Sequence, residues 1–494
     1  MALRVRNVVP ARTAVVVAGA AVLIVETLAA RLVAPYVGLT LEAYTAAIGV
    51  ALLGIALGAR TGGAAADRIG PARVVCGALA AGGALVLLVR PLVLLLGPHV
   101  PIGPASAVTL VAVSTLPAVT VLSMVAPAAV KHRLQDLSES GRIVGELSAL
   151  GTLGALAGTF LTGYVLVATL PTWAVLAVAG GVCIVLGLVT APAARPSRND
   201  ITLVVVATLV AATALLAVRS PCGVETAYYC ASVEADPERP SGRVLRLDNL
   251  RHSYVDLRDP THLEFSYIKR FAGAVDATFP GGEPLVTVHI GGGGFTMPRW
   301  LAATRPGSTS TVLELDKAVV ELGREQLAVN SIPALDVVTG DARGSLRSVA
   351  DSSADLVIGD AFGSLSVPWH LATRQFLLDV RRVLKPGGVF VLNVIDHDPN
   401  NFLAAEARTL ATVFQQTALM AGPEQLDPGG GGNFVLVATD VDLSGTALES
   451  STARHGDRAI AVMASEYDEL ASGGPILTDD FAPVDQLLTP YLLK

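Results

Sequence analysis

Charge is scarce in this sequence of 494 residues: Asp, Glu, Lys and Arg make up 16% of it, against 52% hydrophobic residues. That balance excludes a disordered chain, and so apolar a chain of this length is neither an ordinary soluble protein nor a single domain. Cysteine is scarce too. Four in the whole chain exclude a disulfide-dense secreted scaffold. Positive charge is in deficit, with 35 Lys and Arg against 42 Asp and Glu, which excludes a nucleic-acid binder working through bulk basic charge. There is no Cys-x-x-Cys, and His252, His289 and His370 have no metal-ligand spacing, so no metal is assigned.

What charge there is divides unevenly. Residues 1–200 carry 13 basic against 7 acidic residues, and the remainder carries 22 against 35. Seven apolar runs of the length that crosses about 30 Å of hydrocarbon fill the first half, at 13–33, 44–59, 74–96, 106–126, 145–167, 171–190 and 201–218. Glu26 and Arg31 interrupt the far end of the first run and further runs follow it, so it is not a cleavable signal. The expectation for residues 1–218 is an α-helical, multi-pass domain of the cell membrane with the lipid bilayer as partner. Basic residues precede the first run (Arg4, Arg6, Arg12) and separate the second from the third (Arg60, Arg68, Arg73). They also separate the fourth from the fifth (Lys131, Arg133, Arg142) and the sixth from the seventh (Arg195, Arg198). The positive-inside rule then puts the N-terminus in the cytoplasm and, after seven crossings, the rest of the chain outside.

Individual residues in this half carry further expectations. Glu26 is expensive in lipid and must face other helices or water, as a site or as a structural partner of a base such as Arg31. Cys76 and Cys183 read as small buried residues inside spans. Cys222 and Cys230 flank a turn just past the last run, where an external location would permit a bridge. The segment Gly58 to Arg68 resembles the cytoplasmic loop between the second and third helices of major-facilitator transporters.

After a linker at 219–242 the hydrophobic period changes. Arg243 to Leu257 reads as a small β-hairpin. Beyond it, β-rich runs at Leu285–Ile290, Thr311–Leu315, Asp336–Thr339, Asp355–Ile358, Val389–Val394 and Phe434–Ala438 alternate with helical stretches. That alternation is the sequence form of a doubly wound parallel α/β sheet over 243–494. Ligands bind such sheets beyond the carboxyl ends of the strands. There the first strand ends in Gly291-Gly292-Gly293-Gly294 and leads into a helix, so a ligand can approach the backbone closely. The second ends in Glu314, roughly twenty residues on, where an acid accepts hydrogen bonds from ribose hydroxyls. The third leads into Asp341 and the fourth into Asp360, two further acids at successive strand ends. His289 reads as a core residue, Trp369 and His370 as packing or acceptor contacts, and Gly429 to Gly432 as a turn rather than a phosphate loop.

At these residues the sequence resembles the spermidine synthase family of polyamine aminopropyltransferases in its membrane-fused form, over residues 243–400 and again in the tail Thr478 to Asp485. The resemblance implies a class I methyltransferase-like Rossmann domain and decarboxylated S-adenosylmethionine, or S-adenosylmethionine, as co-substrate. Gly291, Gly292 and Gly293 would approach it, Glu314 would hold its ribose, and Asp341 with Ala342 its adenine. Asp360 would take a proton from the attacking amine, and Tyr267 matches the family tyrosine that precedes the site. A small-molecule amine acceptor and a homodimer belong to the same implication. The chain departs from the family on the acceptor side. Gly294 stands where the family has an Asp, Ile268 and Lys269 replace His-Glu, Gly363 replaces a second acid, and His252 replaces a Gln. The departures leave two alternatives open: a methyltransferase on the same fold, and a noncatalytic or repurposed extracytoplasmic binding domain.

Overall fold

The computed structural model describes residues 2–37, 41–101, 104–134, 136–194, 197–218, 222–248, 250–362, 367–464 and 474–489, so Arg195 and Gly363 lie outside the described residues. The chain divides into two compact units, Met1–Tyr229 and Cys230–Lys494.

In the first unit six helices are long and apolar enough to cross a membrane: Ala11–Val37, Glu42–Ile69, Pro71–His99, Ala105–Arg133, Leu137–Thr169 and Thr172–Ala191. The seventh expected run forms the shorter apolar helix Ile201–Ala217, so the count of seven spans becomes six of full length and one short one. Gly58 to Arg68 is not a loop. It lies wholly inside the helix Leu41–Ile69, because its alanines favour helix strongly enough to carry the two glycines that follow Thr61. Small residues let the first helix and the fifth approach backbone to backbone, as membrane helices commonly do. A Cβ added at Gly154 would lie 2.2 Å from the Val16 carbonyl oxygen, and one at Gly158 2.5 Å from that of Ala20. Arg31 donates to the carbonyls of Thr226 and Ala227, and Glu225, in the two-residue strand β1 (Val224–Glu225), accepts from the Thr172 amide at 2.7 Å. Cys222 and Cys230 are disulfide-bonded, while Cys76 and Cys183 are free and Cys183 is buried.

The second unit begins with a strand inside the stretch expected to be linker. Strands β2 (Cys230–Ala235), β3 (Gly242–Leu247) and β4 (Leu250–Asp256) run antiparallel, and the last two are the expected hairpin. The main sheet comprises β5 (Val286–Ile290), β6 (Thr309–Glu314), β7 (Leu335–Thr339), β8 (Ala354–Gly359), β9 (Leu384–His397), β10 (Gln416–Ala421), β11 (Gly431–Thr439) and β12 (Ile460–Met463), in the order β12-β10-β11-β9-β8-β5-β6-β7. Strands β5 to β9 are parallel. The sheet is mixed rather than purely parallel, because β11, β10 and β12 add antiparallel at one edge. Both faces of the parallel part are buried: Leu356 and Ile358 of β8 join the core on one face, and Val357 joins the core on the other.

The order of winding reverses between β5 and β8, which opens a crevice at their carboxyl ends. Register fixes what meets there. Ile290 pairs with Gly359, and Gly359 with Leu392, so Gly291, Asp360 and Asn393 emerge side by side. Below them, the fully buried Asp396 accepts hydrogen bonds from the amides of His397, Phe402, Leu403 and Thr489, at 2.9–3.0 Å. One carboxylate thereby joins the end of β9, the first turn of the helix Asn401–Ala411 and a late segment of the chain. Replacing it leaves four amides without their acceptor, those of Phe402 and Leu403 buried, so Asp396→Ala is expected to lower stability by about 3 kcal/mol or more. In a differential scanning fluorimetry experiment on the detergent-solubilised chain, the transition of the soluble half should fall by several degrees.

Candidate active site

The glycine run after β5 is shaped by its lack of side chains. Gly291 has φ of +93°, and a Cβ there would stand 2.4 Å from the carbonyl oxygen of Asp360, so only glycine fits between the two strand ends. From β6, Glu314 reaches under the loop. Its Oε2 accepts from the amides of Gly292 at 2.8 Å and Gly293 at 3.4 Å, and its Oε1 accepts from that of Asp316 at 2.9 Å. Burial pushes the Glu314 carboxyl up from its ordinary pKa, and these three amides pull it back. Glu314 therefore sets the shape of the loop as well as standing at the strand end.

Asp360 follows β8. Its Oδ2 accepts from the Tyr267 hydroxyl at 3.2 Å and its Oδ1 from the Asn393 amide nitrogen at 2.9 Å, while its own amide bonds to the Ile290 carbonyl at 2.9 Å. Burial raises its pKa from 3.8 to about 6, with the two side-chain hydrogen bonds opposing the rise. Tyr267 comes from the first turn of the helix Ser266–Thr278. It stacks on Phe265 (ring centroids 6.1 Å apart) and meets Phe271 edge-on, so the hydroxyl has one direction in which to point. A cavity of about 430 Å³ opens beside this pair, bordered by Asp360, Tyr267, Asn393, Arg251, Arg270 and Glu424 among others. A smaller one of about 30 Å³ lies under the glycine loop and shares His252, Tyr267 and Asp360 with the first.

Glu314, Gly291 to Gly293, Asp360 and Tyr267 are thus brought together. Asp341 is engaged differently. Its Oδ1 accepts from the Gly344 amide at 3.0 Å, capping the short helix Ala342–Leu346, and its Oδ2 takes His370 Nε2 at 2.7 Å. Partial burial pushes Asp341 up, but those hydrogen bonds and the imidazole hold it below the ordinary carboxylate range. Ala342 beside it is buried. The adjacent Arg343 makes a two-bond ion pair with Asp479 at 2.7 and 2.8 Å, and Thr373 also donates to Asp479. The tail therefore returns to this side of the site.

Where the chain departs from the family, packing gives the reason. A Cβ at Gly294 would lie 2.3 Å from Ser253 Oγ, so serine on β4 occupies the space a larger residue at 294 would need. Ile268 is buried in the core beneath the site. His252 is half-buried, and burial pushes its pKa down to about 4, leaving a neutral ring beside Gly293. His289 is buried as expected, bonded to Thr287 Oγ1 at 2.9 Å, with its pKa pushed down to about 3. The sequence reading missed Asn393, Asn433, Arg270 and the cavity-lining Gly431 and Gly432. Asn393 carried a signal, a polar residue closing the apolar run Val389 to Leu392.

Residues 288–392 match the family described as a methyltransferase domain. Over 247 residues the chain is 25% identical to a polyamine aminopropyltransferase of Vibrio vulnificus, covering 47% of this chain and 79% of that protein. The C-terminal half is a spermidine synthase-like domain. A phthiotriol/phenolphthiotriol dimycocerosates methyltransferase of Mycobacterium tuberculosis is 34% identical over 159 residues, 32% of this chain and 53% of the relative. Among solved structures, a probable spermidine synthase from Corynebacterium glutamicum has 28% identity and a TM-score of 0.49, covering 55% of this chain and all of that one. The matched residues of the relatives named here thus fall short of this chain's full length.

The spermidine synthase-like domain depends on Glu314 for the shape of its glycine loop. In Glu314→Ala the amides of Gly292 and Gly293 lose a buried charged acceptor worth about 1.5–3 kcal/mol. Hydrogen exchange followed by mass spectrometry should show the peptide spanning 291–295 exchanging at least tenfold faster, with peptides from β9 unchanged.

Proposed function

We propose that the C-terminal domain transfers an aminopropyl group from decarboxylated S-adenosylmethionine to an amine. One observation carries the reading: a half-buried carboxylate, Asp360, oriented by Tyr267 and Asn393 beside both the glycine loop and the larger cavity. The donor is written here as a substrate. Glu314 and the glycines would receive its ribose and the chain near its sulfur, since a carboxylate accepting three amide bonds still has lone pairs free. The adenine would lie toward Ala342, with Asp341 already committed to the helix cap and to His370.

The chemistry asks for little more. A neutral amine nitrogen attacks the propyl carbon attached to sulfur, so the N–C bond forms as the C–S bond breaks. The electron pair passes to sulfur, giving a neutral thioether. The proton that the new ammonium must lose goes to Asp360, for which a pKa near 6 is well matched to neutral pH. Tyr267 and Asn393 keep the carboxylate aimed, which is positioning rather than proton transfer. Methyl transfer would use the same donor half and release a proton in the same way, so the preference between the two donors is what separates the reactions.

The acid limb of the rate follows from the sign of the shift. Asp360 works deprotonated, so kcat/KM should rise through about pH 6 and fall away below it. Asn393→Ala and Tyr267→Phe each remove a hydrogen bond that lowers this pKa, so both should move the limb to higher pH. Asp360→Asn should cut kcat about 10²–10⁴-fold while donor binding persists. Unchanged turnover in Asp360→Asn, or tighter calorimetric binding of S-adenosylmethionine than of its decarboxylated form, would count against the reading.

A second reading has its own observation, the Cys222–Cys230 bridge, which an external location permits. Seven crossings put the domain outside, where adenosyl donors are scarce, and it would then bind some other ligand. Six put it in the cytoplasm. Reporter fusions at the C-terminus, scored for phosphatase against fluorescent-protein activity, separate the two. The aminopropyl reading expects the cytoplasmic signal.

A further inference from the structure

The charges around the larger cavity bear on its substrate. A site for a diamine needs an acid to meet the distal ammonium as well as one at the reacting nitrogen. Among the described residues two acids border the cavity, Asp360 and Glu424. Asp360 faces the reacting nitrogen. Glu424 stands close to Arg270: a Cβ on Gly422 would lie 2.4 Å from Glu424 Oε1 and 3.1 Å from Arg270 Nη2, so the two groups flank one point. Arg270 is 3% exposed, is paired with Asp457 at 2.8 Å, and donates to Gln425 Oε1 at 2.6 Å and to the Asn433 carbonyl at 3.0 Å. Asp457 takes up the Arg270 charge, and the acid that remains, Glu424, is exposed to solvent, where a pairing with a second cation is screened and contributes little.

Arg251 is different. It borders the same cavity, on the exposed edge of β4, with its guanidinium carbon 5.5 Å from the centre of the Phe265 ring. Phe265 stacks on Tyr267, whose hydroxyl meets Asp360. One continuous wall therefore runs from a guanidinium to the proposed base. No carboxylate among the described residues forms an ion pair with Arg251. Asp236 interacts with it at longer range, but the Asp236 oxygens are engaged by the Tyr254 hydroxyl at 2.7 Å and the Glu238 amide at 2.9 Å. A guanidinium fixed against an aromatic face keeps its donor edge free for a planar anion. The rest of the lining adds Asn393, Gln425 and Asn433, uncharged groups that suit a polar acceptor of no net charge.

We propose that the acceptor carries one nucleophilic amine and, at its other end, a carboxylate bound by Arg251, instead of a second ammonium. This rests on the transferase reading and names the substrate class for it. The bonds are those already given: the amine nitrogen gains the propyl carbon, sulfur keeps the electron pair, Asp360 takes the proton, and the carboxylate is unchanged.

The test uses the full chain in lipid nanodiscs with decarboxylated S-adenosylmethionine. The acceptors are putrescine and the amino acid that carries a carboxylate in place of one of its ammonium groups, with products identified by mass spectrometry. The wild type should favour the amino acid by at least tenfold in kcat/KM. Arg251→Glu should lose at least tenfold on the amino acid, chiefly through KM, and gain on putrescine, while Arg251→Lys, which keeps the charge but not the planar donor edge, should lose less than Arg251→Glu. Preference of the wild type for putrescine, or an unchanged ratio in Arg251→Glu, overturns the proposal. Calorimetry with the donor alone separates the two levels. Donor binding together with a putrescine preference removes the acceptor assignment and leaves the transferase. No donor binding in the wild type overturns both.

Discussion

A carboxylate taken out of water is stable as an anion only if the protein replaces the solvation it lost, and the arrangement around Asp360 answers that constraint. Two hydrogen bonds, from Tyr267 and Asn393, do the replacing, and they do it incompletely, which is why the pKa lies at about 6 rather than at the ordinary 3.8. The partners come from distant parts of the chain. Tyr267 needs its helix packed against β9 and β11, and Asn393 needs β9 in register with β8. Glycine at 291 lets the two strand ends close without obstruction. A shift of any one of these elements would leave the carboxylate either hydrated or stranded.

Much of the donor half was legible in the sequence, because parallel strands bury both faces and announce their ends with glycine and acid. Glu314 and Asp360 stand where the alternation of runs places them. What could not be read locally was pairing. Asn393 and Asn433 reach the site only through the register of β9 with β8 and β11, and a register is a property of two segments at once. The strand Gln416–Ala421 and the edge strand Ile460–Met463 were missed for another reason: the first contains two alanines and the second is only four residues long. Asp341 shows a third limit. Its position after a strand fits a ligand contact, yet the same position is a helix N-cap, and the cap together with His370 takes up its oxygens. In the first half the lengths of the runs were plain from hydropathy, whereas Gly58 to Arg68, with its glycines and charges, imitates a loop inside a helix.

Sites built on a rigid sheet and sites built on its loops change at different rates. The nucleoside side here rests on strand ends and keeps the acids and glycines that define it. The acceptor side rests on β4, the helix Ser266–Thr278 and the turn before β11, and it is there that Ile268 and His252 differ from the family pattern. The 288–392 match covers the strands from β5 to β9 and stops before the elements that border the larger cavity on its far side.

The clasp between Arg343 and Asp479 spans 136 residues of chain. Ribosomes deliver those residues in order, so the stretch around Asp341 and Ala342 emerges long before its partner and has no tail to lean on in the meantime. Assembly of this face therefore waits until Asp479 has been made, and a chain stalled upstream of it would display a sheet with a loose margin, a natural handle for quality-control proteases.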